Sequence, residues 1–120
     1  MFSVWALAVL AAGLAACGGK IAFFEVSIMV STLVDRTMIT SCELTVTGAV
    51  KDGPFTLANC AHVTSPSVGL VQYGTETESG SVSFHVDAFD GSHVKLGQGD
   101  ATGPINAGGR TAVSLTIGPP

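Results

Sequence analysis

Apolar and polar side chains alternate with a period of two along three stretches of the chain. Val82, Phe84, Val86 and Ala88 alternate with Ser81, Ser83, His85 and Asp87. Val113, Leu115 and Ile117 alternate with Ser114 and Thr116, and Cys42, Leu44 and Val46 with Glu43, Thr45 and Thr47. This spacing predicts strands with one buried and one wet face, as in antiparallel sheets. Turn residues fall between the runs. Asp52-Gly53 between Val50 and Phe55, and Asp90-Gly91 between Phe89 and Val94, predict tight hairpins, because Asp-Gly tolerates the positive φ angles such turns use. Gly108-Gly109, Ser65-Pro66-Ser67 and Gly103-Pro104 mark further breaks. Between residues 26 and 38 the positions Val26, Met29, Val30, Leu33 and Thr37 also fit a helix, but the Val, Ile, Thr and Ser content favours a strand. Short strands with turns at these intervals predict an all-β fold, a small antiparallel β-sandwich (Ig-like or similar) or a small barrel.

The first nineteen residues follow a different pattern. None is charged, Lys20 being the first that is, and residues 4–14 form an almost pure Ala/Leu/Val run. Eleven residues are too few for a helix across the roughly 30 Å of bilayer hydrocarbon, which takes about 20. They suit the apolar region of a secretory signal. The run ends in Leu14-Ala15-Ala16-Cys17-Gly18-Gly19. This resembles the lipobox of bacterial lipoprotein precursors. The resemblance covers the signal only, and Met1-Phe2-Ser3 departs from the pattern in carrying no Lys or Arg.

The resemblance implies a signal peptide over 1–16 and a lipidated Cys17 with a short tether over 17–20, and the alternation described above makes 21–120 a single β domain. The resemblance also implies a diacylglyceryl group on the Cys17 thiol and a location in the bacterial cell envelope, on the exported side of a membrane gripped by the acyl chains. Gly18 stands where an acidic residue retains some lipoproteins in the inner membrane, which in a cell with two membranes favours the outer one. The alternatives are an uncleaved anchor running on into Ile21-Ala22-Phe23-Phe24, and an ordinary signal with Cys17 incidental. With two or three acyl chains the grip is stable, each buried CH₂ contributing about 0.8 kcal/mol. Only Gly18, Gly19 and Lys20 separate Cys17 from Ile21, and three residues span at most about 10 Å, so the domain is expected to sit against the bilayer.

With Cys17 lipidated, Cys42 and Cys60 remain as a pair. In an exported chain such a pair is expected to be bonded. Composition narrows the function classes. The chain is 47% hydrophobic and 12% charged with a net charge of −4, which excludes a disordered chain and argues against a nucleic-acid partner.

Candidate chemistry is sparse. His85 and His93 flank the Asp90-Gly91 turn with Asp87 near. Across a hairpin these three could face one another and hold Zn²⁺ or Cu²⁺, although the alternation puts His85 on the wet face beside Asp87. Asp87, Asp90 and Asp100 suggest Ca²⁺, yet no ligand-rich loop accompanies them. Hydrolase and nucleotide-binding motifs are missing, and no cofactor is implied. With the one Trp in the signal and the Phe residues in or near strands, an aromatic sugar platform is disfavoured, Tyr73 being the contact candidate that would test one. The polar stretch 74–80, with Glu76 and Glu78, and the glycine-rich stretch 97–109, with Asp100 and Asn106, read as contact loops. The expected function is a lipid-anchored envelope domain that binds an envelope protein or polysaccharide or plays a structural part, without catalysis. The alternative is a small exported metal-binding protein or minimal enzyme using His85, His93 and Asp87.

Overall fold

The computed structural model describes residues 20–57, 60–61 and 66–120, with the backbone of residues 8–11. Cys17 lies outside the described residues. Among the described residues there are eight strands: β1 (Ala8–Ala11), β2 (Ala22–Val30), β3 (Ser41–Gly48), β4 (Asp52–Thr56), β5 (Ser67–Thr75), β6 (Ser81–Phe89), β7 (Lys95–Pro104) and β8 (Arg110–Ile117). They form two four-stranded sheets, ordered β1-β5-β2-β8 and β4-β3-β6-β7. The second sheet is wholly antiparallel. The first is mixed, since β2 runs antiparallel to β5 but parallel to β8. The protein is a small β-sandwich.

The alternation seen in the sequence is what the two layers bury. Along β6 every second residue from Val82 to Ala88 is buried, and β3 buries Cys42, Leu44 and Val46. From the facing sheet come Phe24, Val26, Ile28 and Val30 of β2, Val71 and Tyr73 of β5, and Val113, Leu115 and Ile117 of β8. Phe84 sits at the middle of the sandwich. Its ring meets Phe24 edge-on at 5.2 Å and Tyr73 at 5.9 Å, a geometry that adds to area burial because the ring edge is positive and the face negative. The stretch 26–38 is strand only as far as Val30. A loop with one 3-10 turn, Arg36–Met38, follows and leaves Leu33 exposed. Phe24, which an uncleaved apolar anchor would have carried into the membrane, is fully buried in the core. No helix among the described residues is long and apolar enough to cross a membrane.

Two turn expectations are corrected. Asp52-Gly53 is not the hairpin turn but the start of β4, and the chain reverses at residues 48–51, where Gly48 has φ 99. The positive φ of Gly53 (89) serves a bulge instead, in which Thr45 of β3 stands opposite both Gly53 and Pro54. At the β6–β7 hairpin the turn is where expected, but His93 (φ 60), not Gly91, adopts the left-handed conformation. The Asp90 amide donates to the Val94 carbonyl, and the His93 amide to the Asp90 carbonyl. This is a three-residue loop ending in a left-handed residue. The Asp90 carboxylate accepts from the Ser92 and Val94 amides at 2.8 and 2.9 Å, and the His93 ring stacks on Phe89 at 4.2 Å.

The stretch 97–109 is also corrected: to Pro104 it is strand β7, not a contact loop. Its glycines point inward, where other strands carry Val or Phe. A Cβ on Gly97 would lie 2.8 Å from Ile117 Cγ2, and one on Gly103 2.8 Å from Val113 Cγ1. One on Gly99 would fall inside the Thr116 carbonyl and 2.9 Å from Leu115 Cδ2. β7 therefore lies directly on β8 of the other sheet, and the bridge between Gln98 and Gly118 closes that side of the sandwich. On the other side, β1 pairs in parallel with β5, from Ala8 opposite Val71 to Ala11 opposite Gly74. An uncharged apolar run that suits a signal also suits the edge of an apolar strand.

Candidate functional site

Register places a polar grid on the outer face of the β3-β6-β7 sheet. Thr45, His85 and Asp100 form one row across the strands; Glu43, Asp87 and Gln98 form the next; Thr47, Ser83 and Thr102 form the third. The alternation that buries Val82 to Ala88 necessarily turns these residues outward. His85 is the centre of the grid. Its Nδ1 lies 2.6 Å from Asp100 Oδ1 and its Nε2 2.8 Å from Asp87 Oδ1, while Lys95 Nζ approaches the same Asp87 oxygen at 3.1 Å. Ser83 and Thr102 are hydrogen-bonded at 2.9 Å in the row beyond.

The electrostatics follow from this geometry. Partial burial disfavours the imidazolium, but the hydrogen bonds to Asp100 and Asp87 and their negative charges outweigh it, so the His85 pKa is raised. Partial burial also pushes Asp87 up, but Lys95 and His85 together hold it lowered. Folding thus binds the His85 proton more tightly. That stabilisation is complete below about pH 6.5 and disappears as pH rises through the higher folded value. The Asp87 contribution is present above about pH 4 and disappears as pH falls through the lower folded value. Stability is expected to peak between these limits and to decline towards pH 8. His85→Gln should flatten the decline. Because Asp100 is 70% exposed, solvent screening keeps the change under about 1 kcal/mol. Thermal unfolding of both forms from pH 5 to 8 checks it, and parallel profiles would count against it.

The structure separates the residues that the metal reading grouped. His85 faces Asp100 across the hairpin rather than His93. His93 sits in the turn against Phe89, four residues along β6 from His85, about 13 Å at strand spacing. Asp90 is occupied in capping the turn. Among the described residues no three His, Cys, Asp or Glu side chains are grouped to hold a metal ion. With hydrogen bonds at both nitrogens, His85 has no ring nitrogen directed at a nucleophile. The arrangement presents donors and acceptors together on the outer face of the sheet.

Tyr73 is not a contact residue. Its ring is fully buried and its hydroxyl donates to Asp52 Oδ2 at 3.1 Å, tying β5 to β4. Burial first, then the hydrogen bond to Asp52 and that group's charge, pushes its pKa far above the usual phenol range. Glu76 and Glu78 lie in the loop after β5, and Asn106 opens the turn before β8. Both loops are at the end where the chain enters the domain: Ala22 pairs with Thr75, and the Gly108 amide donates to the Ile21 carbonyl. Asp100 is held by His85 in mid-strand.

Two features escaped the sequence reading. Lys95 completes the His85–Asp87 cluster only through the β6–β7 register. The exposed large apolar side chains Met29, Leu33, Met38 and Val94 come from three separate segments but gather at the end opposite the chain entry. Of the four, Leu33 belongs to the segment from Thr32 to Thr37 that lines an open depression. Comparison with family models, with curated proteins and with solved structures found no match.

Proposed function

We propose that the chain is a lipid-anchored β-sandwich of the bacterial envelope, acylated on Cys17 after removal of residues 1–16, and that it binds or scaffolds an envelope partner without catalysis. The observation that carries this reading is the Leu14-Ala15-Ala16-Cys17 lipobox set five residues before the first central strand, β2 (Ala22–Val30). A tether of that length holds the Lys20 end against the bilayer. β2 then runs away from it for nine residues, about 30 Å at strand spacing.

The opposite end, with Met29, Leu33, Met38 and Val94 exposed, is thereby presented away from the membrane. Exposed apolar side chains at one end of a domain suit a contact surface. An envelope protein fits this end, and a polysaccharide fits the polar grid around His85. The outward grid, in which both ring nitrogens of His85 face carboxylates, supports a binding role.

The test is intact mass spectrometry of the chain recovered from the membrane fraction. The expected species begins at Cys17 and carries acyl chains. Cys17→Ala should leave residues 1–16 in place and abolish acylation. An unacylated wild-type chain beginning at Met1 overturns the reading.

A further inference from the structure

The sandwich has four strand edges, and three are blocked. β7 and β8 cover each other and are bridged at Gln98 and Gly118. β4 is five residues long, carries Asp52 and Pro54, and is bulged at Gly53. Short length, charge, proline and bulges are the devices by which sheet edges avoid pairing. The fourth edge is β1, and the strand beneath it, β5, is bulged only at Val68, against β2 and outside residues 71–74. Its nine residues, Ser67–Thr75, include no charge and no proline. Residues 71–74 of this strand pair with β1, an apolar segment of the same chain running parallel to β5, and become an edge only when β1 is removed.

We infer that β5 is a strand acceptor: once residues 1–16 are removed, residues 71–74 bind an extended apolar segment of a partner protein, which adds parallel to β5 as β1 does. The inference rests on the maturation proposed above, because cleavage before Cys17 takes β1 away. The occupant's chemistry is read from the segment already seated there, Ala8-Val9-Leu10-Ala11. Main-chain hydrogen bonds supply affinity in such strand addition, and alternate side chains supply selectivity. On this side Phe55 of β4 is only partly buried against the core, and inward side chains of an added strand would cover it.

Hydrogen exchange of residues 71–74 tests this in two forms of the protein: the processed chain in detergent, and the unprocessed Cys17→Ala chain. Edge amides should exchange at least about tenfold faster in the processed chain. A synthetic peptide carrying residues 6–12 between terminal lysines should slow them again. Gln72→Lys adds an edge charge opposite Glu25, so it keeps the fold, checked by thermal unfolding, but should abolish the peptide effect. Equal exchange in the two forms, or a peptide without effect on the wild-type processed chain, overturns the inference. If masses show Met1 in both forms, the maturation reading fails by itself. The acceptor is then read in the full chain with Leu10→Pro, which removes an amide from β1. Faster exchange at 71–74 that the peptide reverses supports the acceptor, and unchanged exchange overturns it.

Discussion

Gly99→Ala is expected to destabilise the domain by about 3 kcal/mol or to prevent folding, the upper range for overpacking a core. A Cβ at this position has no space: Leu115 Cδ2 would be 2.9 Å away and the Thr116 carbonyl carbon 2.8 Å. The obstacle is backbone, which cannot rotate aside as a side-chain end can. Relief requires β7 to lift from β8, and that breaks the closure of the sandwich. For a domain of this size the loss lowers Tm by on the order of 15 °C. Gly118→Ala is the matched control. Nothing lies within 4 Å of a Cβ there, so its cost should stay within about 0.5 kcal/mol. Thermal unfolding of the two variants decides. Equal stability would mean that β7 and β8 are not in direct contact.

Removing the Cys42–Cys60 bond is the second large effect expected. The two cysteines are 18 residues apart in sequence with Cα atoms at 5.9 Å, and both are fully buried. Closing a loop of that length restricts the unfolded chain by about 3 kcal/mol in the chain-entropy picture, a sizeable part of the 5–15 kcal/mol typical of a domain. The bond ties the segment after β4 to β3, where the Leu57 amide already donates to the Cys42 carbonyl. Replacing both cysteines by Ala, or reducing the wild type, should lower the urea midpoint in proportion. An unchanged midpoint would show that the reduced chain is already as constrained as the bonded one. The expected dependence suits folding in an oxidising compartment.

The candidate site was legible in part. Alternation alone turned His85 and Asp87 to the same wet face, and that is where they stand, 2.8 Å apart. Their further partners were not legible. Asp100 and Lys95 reach them through the register of β7 against β6, and no local pattern encodes register when the partner strand is rich in glycine. Tyr73 was misread because aromatic exposure depends on which face of β5 the strand buries. Val71, Tyr73 and Thr75 are buried together, although the stretch 69–74 has no clean alternation of its own. The apolar end was missed because Met29, Leu33, Met38 and Val94 lie on segments that only the folded topology assembles.

By itself the sequence determined the strands β3, β6 and β8 with the polarity of their faces, the all-β class and the cysteine pair. These depend on near neighbours: a period-two pattern leaves one apolar face to bury, and β-branched residues fit extended backbone. Only the tertiary structure decided that Gly97, Gly99 and Gly103 mark a close approach of two sheets rather than a loop. The same holds for Gly53, which serves a bulge and not a turn, and for His93, which takes the left-handed position beside Phe89. A glycine allows a turn, a bulge or a close contact equally well. Which of these it provides is settled by whatever packs against it, and for β7 that is β8 of the opposite sheet.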